Sequence, residues 1–175
     1  MNISMYQASV PRFVSMLGNL AQILDKAQAH AAAKKFEGNV LAAGRLFPDM
    51  LPLTSQVQIA CDTAKGAVAR LAGVEIPVHE DTEATLDELK ARIAKTIAFI
   101  ERVQPAAIDG SEDREIVIKR GDQETRFTGL KFLLGRALPN FYFHVTMAYA
   151  ILRHNGVEIG KRDFLGELPP RRPPA

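Results

Sequence analysis

The chain has 175 residues, 47% hydrophobic and 24% charged, ordinary proportions for a soluble globular protein with one sizeable core. A net charge of +2 without a long basic run excludes the cationic surface that nucleic-acid binding requires. A single cysteine, Cys61, excludes an intrachain disulfide or a thiolate metal cluster and fits a reducing, cytoplasmic setting.

The opening "MNISMYQASVPRF" has no basic segment followed by an apolar run, so no secretory signal is expected. No run of about 18 apolar residues exists, so no membrane span is expected. A first helix is read over residues 5–33, because Phe13, Leu17, Leu20, Ile23, Leu24 and Ala27 recur on one face. Ser4 caps it, and Pro11 is tolerable only near its start, so a separate first turn is expected. The following "AAAKKFEGNVLAAGRLFPDM" is too apolar for a free linker and is read as a structured connection. A second helix runs from Pro52 to Ala72, with Pro52 in its first turn and Gly73 at its end. Its core stripe is Leu53, Val57, Ala60, Cys61, Ala64, Val68 and Leu71.

"GVEIPVHED" reads as an extended crossing. Thr85 and Glu88 form a capping box, in which each side chain satisfies the other's backbone donor. They open a third helix with Leu86, Leu89, Ile93, Ile97 and Ile100 inward, ending before Pro105. The period then changes to two. "EIVIKRGDQETRF" reads as a β-hairpin turning at Gly121-Asp122, with Lys119 opposite Glu124 and Ile116 opposite Phe127. Residues 129–155 form a fourth helical region, interrupted near Gly135 to Pro139 because proline supplies no N–H. The expected fold is all-α, a four-helix bundle with the hairpin between its third and fourth helices. One domain over 1–166 precedes a disordered, Pro-rich tail, 167–175.

Strong catalytic motifs are absent: there is no phosphate-cradling glycine loop, no G-x-S-x-G and no H-E-x-x-H. His30 and His79 read as solvated side chains. His154 suits the negative end of its helix. His144 stands apart, inside the apolar stretch "NFYFHVTMAYAILRHNG". On a helix it shares a face with Asn140, Met147 and Ile151. A buried polar pair there must find partners, since each unpaired group costs about 1–3 kcal/mol. The bland expectation is that Asn140 and His144 bond to each other and to the second helix. That region offers Asp49, Gln56, Gln58 and Asp62. Asp62 beside the histidine would hold its tautomer and raise its pKa; otherwise it pairs with Lys65 one turn on. Arg45 and Asp49, just before the second helix, are expected to form a structural ion pair, the alternative being that they close the pocket mouth. Tyr142 and Tyr149 share another face, for packing or dimer contacts.

"SMYQASVPRFVSMLGNL", "RLFPDMLPLTSQVQIACDTAKGAVARLAG" and "LPNFYFHVTMAYAILRHNGVEIGKRDFLG" together resemble an uncharacterised bacterial family catalogued as a domain of unknown function. That family looks like a branch of the DinB/YfiT-like superfamily of proposed metalloenzymes. The resemblance implies a DinB-like four-helix bundle, usually a homodimer. In that superfamily, several members hold a divalent metal through three histidines, one early in the second helix and two four apart in the last long helix. Activities include thiol-dependent S-transfer and isomerisation with low-molecular-weight thiols. Carried onto this chain, the last-helix pair falls on Asn140 and His144, and the second-helix histidine falls near Gln56. One of three ligands is present. Amides are weak donors for such metals, so no metal cofactor is expected unless Asp62 or Asp49 swings in.

The resulting expectation is a metal-free polar pocket of Gln56, Asp62, Asn140 and His144 that binds a small molecule, with His144 as candidate catalytic base. The alternative is a DinB-type S-transferase or isomerase holding a divalent metal such as Zn or Ni at His144. A third reading is a dimeric structural protein whose polar core fixes helix register. No nucleic-acid or membrane partner is expected.

Overall fold

In the computed structural model, residues 3–167 are described. The expected tail, apart from Glu167, lies outside them. Helix α1 spans Met5–Lys34. Its start is fixed reciprocally: Gln7 N donates to Ser4 Oγ, and Ser4 N donates to the Gln7 side chain. Pro11 lies inside this helix without dividing it, which corrects the expected separate first turn. So near the N-terminus the missing N–H leaves one carbonyl unpartnered, and the chain runs on.

The connection that follows contains a short helix, α2 (Asn39–Ala42), which buries Leu41 and Ala42. Leu53 N then bonds the Gly44 carbonyl at 2.8 Å, tying the connection to the start of α3 (Leu53–Ala72). Pro52 is the N-cap residue of α3, and Gly73 ends it at φ 70°, a left-handed conformation that favours glycine. Helix α4 (Leu86–Glu101) opens on the Thr85–Glu88 capping box. After the one-turn helix α5 (Pro105–Ile108) come strands β1 (Glu115–Arg120) and β2 (Gln123–Thr128). They pair antiparallel, with Ile116 opposite Phe127 and Lys119 opposite Glu124. Gly121 has φ 58°, whereas Asp122 does not enter the positive region, which makes the turn type II′.

The last region is α6 (Gly129–Phe132), a π-helical turn (Leu133–Ala137) and α7 (Leu138–His154). Pro139 cannot donate to the carbonyl four residues back, and the π turn widens the backbone where that bond is missing. A short α8 (Lys161–Leu165) returns along α1, where Asn19 Nδ2 donates to the Phe164 carbonyl at 3.0 Å.

Among the described residues the fold is mostly helical with one small hairpin. Four long helices carry the core, and α3 packs most extensively on α7 and α4. Every residue of the anticipated α3 stripe is buried, as are Phe13, Leu17, Leu20, Ile23, Leu24 and Ala27 of α1. Phe13 meets Phe141 edge to face across the centre, ring centroids 4.9 Å apart, a favoured aromatic geometry. No described helix is long and apolar enough to cross a membrane.

Candidate functional site

His144 lies on the face of α7 that meets the first turn of α3. Gln56 is 2% exposed there. Its Nε2 donates to the Leu51 carbonyl at 3.1 Å, and a carbonyl can only accept. This contact turns Gln56 Oε1 toward His144, 2.8 Å from Nδ1. An amide oxygen also only accepts, so Nδ1 carries the proton and Nε2 carries the lone pair. No described residue bonds Nε2, and it is not among the enclosed polar atoms left unpartnered. It therefore opens onto the 9% of the residue that remains exposed. Burial holds the His144 pKa below its ordinary value, which keeps the ring neutral. No carboxylate raises it, contrary to one expectation for Asp62.

The other two expected pocket residues stand elsewhere. Asn140 Nδ2 donates to Thr63 Oγ1 at 2.8 Å, so Asn140 and His144 each find a partner on α3 but do not bond each other. Asp62 and Asn140 line a groove of about 210 Å³ with Thr63, Arg70, Phe132 and Arg136; neither Gln56 nor His144 contributes to its wall. Arg45 Nη1 donates to the Pro48 and Met50 carbonyls at 3.5 and 3.1 Å. The expected Arg45–Asp49 pair is not formed, because these carbonyls of the turn are nearer. Tyr142 packs edge to face on Phe141, and Tyr149 on Phe164.

The three-histidine metal site of the resembled superfamily does not fit these residues. His144 Nδ1 is committed to Gln56, and Asn140 bonds Thr63 instead of facing His144. Among the described residues no three His, Cys, Asp or Glu side chains converge as a metal site would need.

A second polar centre had no clear signature in the sequence. Arg92 of α4 has a side chain only 1% exposed. Its Nη1 bonds both Glu83 carboxylate oxygens at 3.0 and 3.1 Å and the Glu80 carbonyl at 2.9 Å. Its Nη2 bonds Asp62 at 2.9 Å and Asp81 at 2.8 Å. Lys65 also reaches Asp62, at 2.8 Å, and Gln58 donates to Glu83 at 2.9 Å. Hydrogen bonds from Gln58 and Arg92 hold the Glu83 carboxyl below its ordinary range against the opposing effect of burial. This network straps the 80–83 segment onto α3 and α4. The acids "HED-T-E" and a lone arginine on an apolar helix face were the only available hints. Beside it, burial pushes the Cys61 thiol up to about 12, so it is not a ready nucleophile. His79 is half-buried with its Nδ1 enclosed and unpartnered, which corrects the solvated reading. Burial lowers its pKa, aided by Lys65, Lys95 and Arg92.

These two histidines predict a pH dependence. Unfolded, each titrates near 6.5; folded, each titrates lower. Over that interval the unfolded chain binds more protons, so stability falls as pH drops below about 6.5. The denaturation midpoint should be lower at about pH 5.5 than at about pH 7.5. His144→Gln, which removes one titrating group, should narrow that difference, and His144→Gln with His79→Gln should narrow it further.

The fold defines the class: a DinB-like helical protein. A crystal structure of a DinB family member from Shewanella denitrificans superposes with a TM-score of 0.88 at 46% sequence identity, covering 96% of this chain and 95% of that one. Residues 5–165 match a domain of unknown function, DUF1993, and the chain belongs to that family. No curated protein matches the chain.

Proposed function

We propose that this protein is a metal-free member of the DinB-like superfamily, a DinB-type four-helix bundle that offers His144 Nε2 as proton acceptor to a small polar molecule. The observation that supports this reading is the chain Leu51 carbonyl, Gln56 amide, His144 Nδ1–H. It fixes one tautomer and leaves one lone pair open. Gln56 is neutral and cannot take a proton, so it orients the ring without strongly favouring the imidazolium. His144 is thus a hydrogen-bond acceptor or a general base of low pKa. A ligand that donates a hydroxyl, thiol or amine hydrogen to Nε2 satisfies this geometry. In this reading the protein is a homodimer, which the exposed Leu130, Leu134 and Phe143 on the last helical region support. Light scattering after size exclusion reads the assembly state.

Elemental analysis of protein purified without chelator or affinity metal tests the reading first. The expected result is metal well below one equivalent. Stoichiometric metal that disappears in His144→Ala would move the protein to the metal-dependent S-transferase or isomerase class. A thermal-shift screen of small polar compounds comes second: compounds that raise the melting temperature of the native protein should fail with His144→Gln. If no compound separates the two, the non-catalytic structural reading replaces this one.

A further inference from the structure

The groove of about 210 Å³ that holds Asp62 and Asn140 carries two guanidinium groups, Arg70 from α3 and Arg136 from the π-helical turn. Arg136 is exposed and Arg70 half-buried. Arg70 Nη1 donates to the Gly66 carbonyl at 3.0 Å, and neither arginine meets an acid within ion-pair distance among the described residues. Asp62, the one carboxylate on the groove wall, is already held by Lys65 at 2.8 Å and Arg92 at 2.9 Å. Two like charges therefore share a concave site with no counter-charge of their own. Burial lowers the Arg70 pKa, and the nearby Arg136 lowers it further.

The local sequence is adapted to this arrangement. Gly66 is buried inside α3, where alanine would favour the helix more. A Cβ at that position would stand 2.6 Å from Arg70 Nη1. Glycine lets the guanidinium fold back along its own helix. Opposite, the π-helical turn carries Arg136, and such turns recur at functional sites. Thr63 accepts a hydrogen bond from Asn140, which leaves the threonine hydroxyl hydrogen free to donate. Ile118 and Phe132 supply the apolar wall.

We propose that this groove binds a small organic oxyanion, a carboxylate or a phosphate monoester. Its charged end bridges Arg70 and Arg136, Thr63 donates to it, and its body rests on Ile118 and Phe132. Planar guanidinium pairs suit such oxyanions better than lysines do. The volume, below that of typical drug-sized sites, restricts the ligand to about ten non-hydrogen atoms. This site is separate from His144 and stands or falls independently of the function proposed above.

Melting temperature is followed during titration with benzoate, phenyl phosphate and inorganic phosphate, with benzamide as the neutral counterpart and chloride holding ionic strength constant. The expected result is a saturable rise with benzoate or with the phosphates, and none with benzamide. Saturation by benzoate assigns the carboxylate; saturation by either phosphate assigns the phosphate. Arg136→Gln changes an exposed residue and should weaken the apparent affinity at least about tenfold. Gly66→Ala should weaken it too, without lowering the melting temperature of the unliganded protein. The proposal is overturned if no anion gives a saturable rise above the chloride control, or if Arg136→Gln and Gly66→Ala both bind as tightly as the native protein.

Discussion

Arg92→Ala is expected to destabilise the protein by about 3 kcal/mol, the largest effect of any single polar substitution in the fold. Arg92 has a side chain 1% exposed and gathers Asp62, Asp81 and Glu83 around one guanidinium. Removing the cation leaves three carboxylates facing one another and a void beneath them. Breaking a buried ion pair by deleting one partner costs about 3–5 kcal/mol. The lower end applies because Asp62 and Asp81 are 41% and 60% exposed and can turn to water. Glu83, 14% exposed, cannot do so fully. At this chain length about 3 kcal/mol corresponds to a melting-temperature loss on the order of 6–12 °C. Arg92→Lys should recover only part of it, since one ammonium nitrogen cannot stand beside Glu83 and also beside Asp62 and Asp81, as the two Nη atoms do. Urea denaturation of the three proteins measures this directly. A loss under about 1 kcal/mol for Arg92→Ala would mean that the network is solvated and contributes little.

The second large effect is at Gln56. Gln56→Leu preserves approximate volume but strips partners from two groups at once, the Leu51 carbonyl and His144 Nδ1–H. An unpartnered buried polar group costs about 1–3 kcal/mol. His144 retains some contact with water, so a total loss of about 2 kcal/mol is expected in urea denaturation. Gln56→Glu separates the electrostatic from the steric contribution. A carboxylate 2.8 Å from Nδ1 would favour the imidazolium, so the His144 titration should move upward, toward or above 6.5, its ordinary value. A titration that stays depressed in Gln56→Glu would show that residue 56 does not contact the ring.

Much of the helical framework was legible because its signals are local. Thr85 and Glu88 announce the start of α4 three residues apart, and Pro52 and Gly73 bracket α3. Heptad-like apolar spacing identified the buried face of α1 without knowledge of its partners. The hairpin register followed from one glycine and the alternation around it. Pro139 marked the interruption in the last helical region, although its π-helical form depends on how the backbone regains its bonds.

The site was only partly legible. That His144 would find a partner on the second helix followed from its burial, and Gln56 was among the candidates. Asn140 stands exposed, one turn (about 6 Å) before His144 along α7, so the two are not one buried pair. Gln56 and Thr63 lie seven residues, about two turns, apart on α3, so the two α7 side chains meet different turns of that helix and not each other. The Arg92 cluster escaped because Asp81 and Glu83 lie in a segment without periodicity, where no rule links them to a helix far along the chain. Arg45 was assigned to the nearest acid, yet the carbonyls of a tight turn were better placed.

In the proposed function a neutral His144 is held by Gln56, with Nε2 open and no metal bound. Two-bond ¹H–¹⁵N correlation spectra of the histidine rings, recorded at neutral pH on chelator-treated protein before and after one equivalent of Zn²⁺, test it most directly. Assignment of the His144 signal comes from His144→Gln. The expected result is the Nδ1–H tautomer, a bare Nε2, and no change in that ring when zinc is added. A proton on Nε2, a fully protonated ring, or a zinc-induced coordination shift at His144 would contradict it.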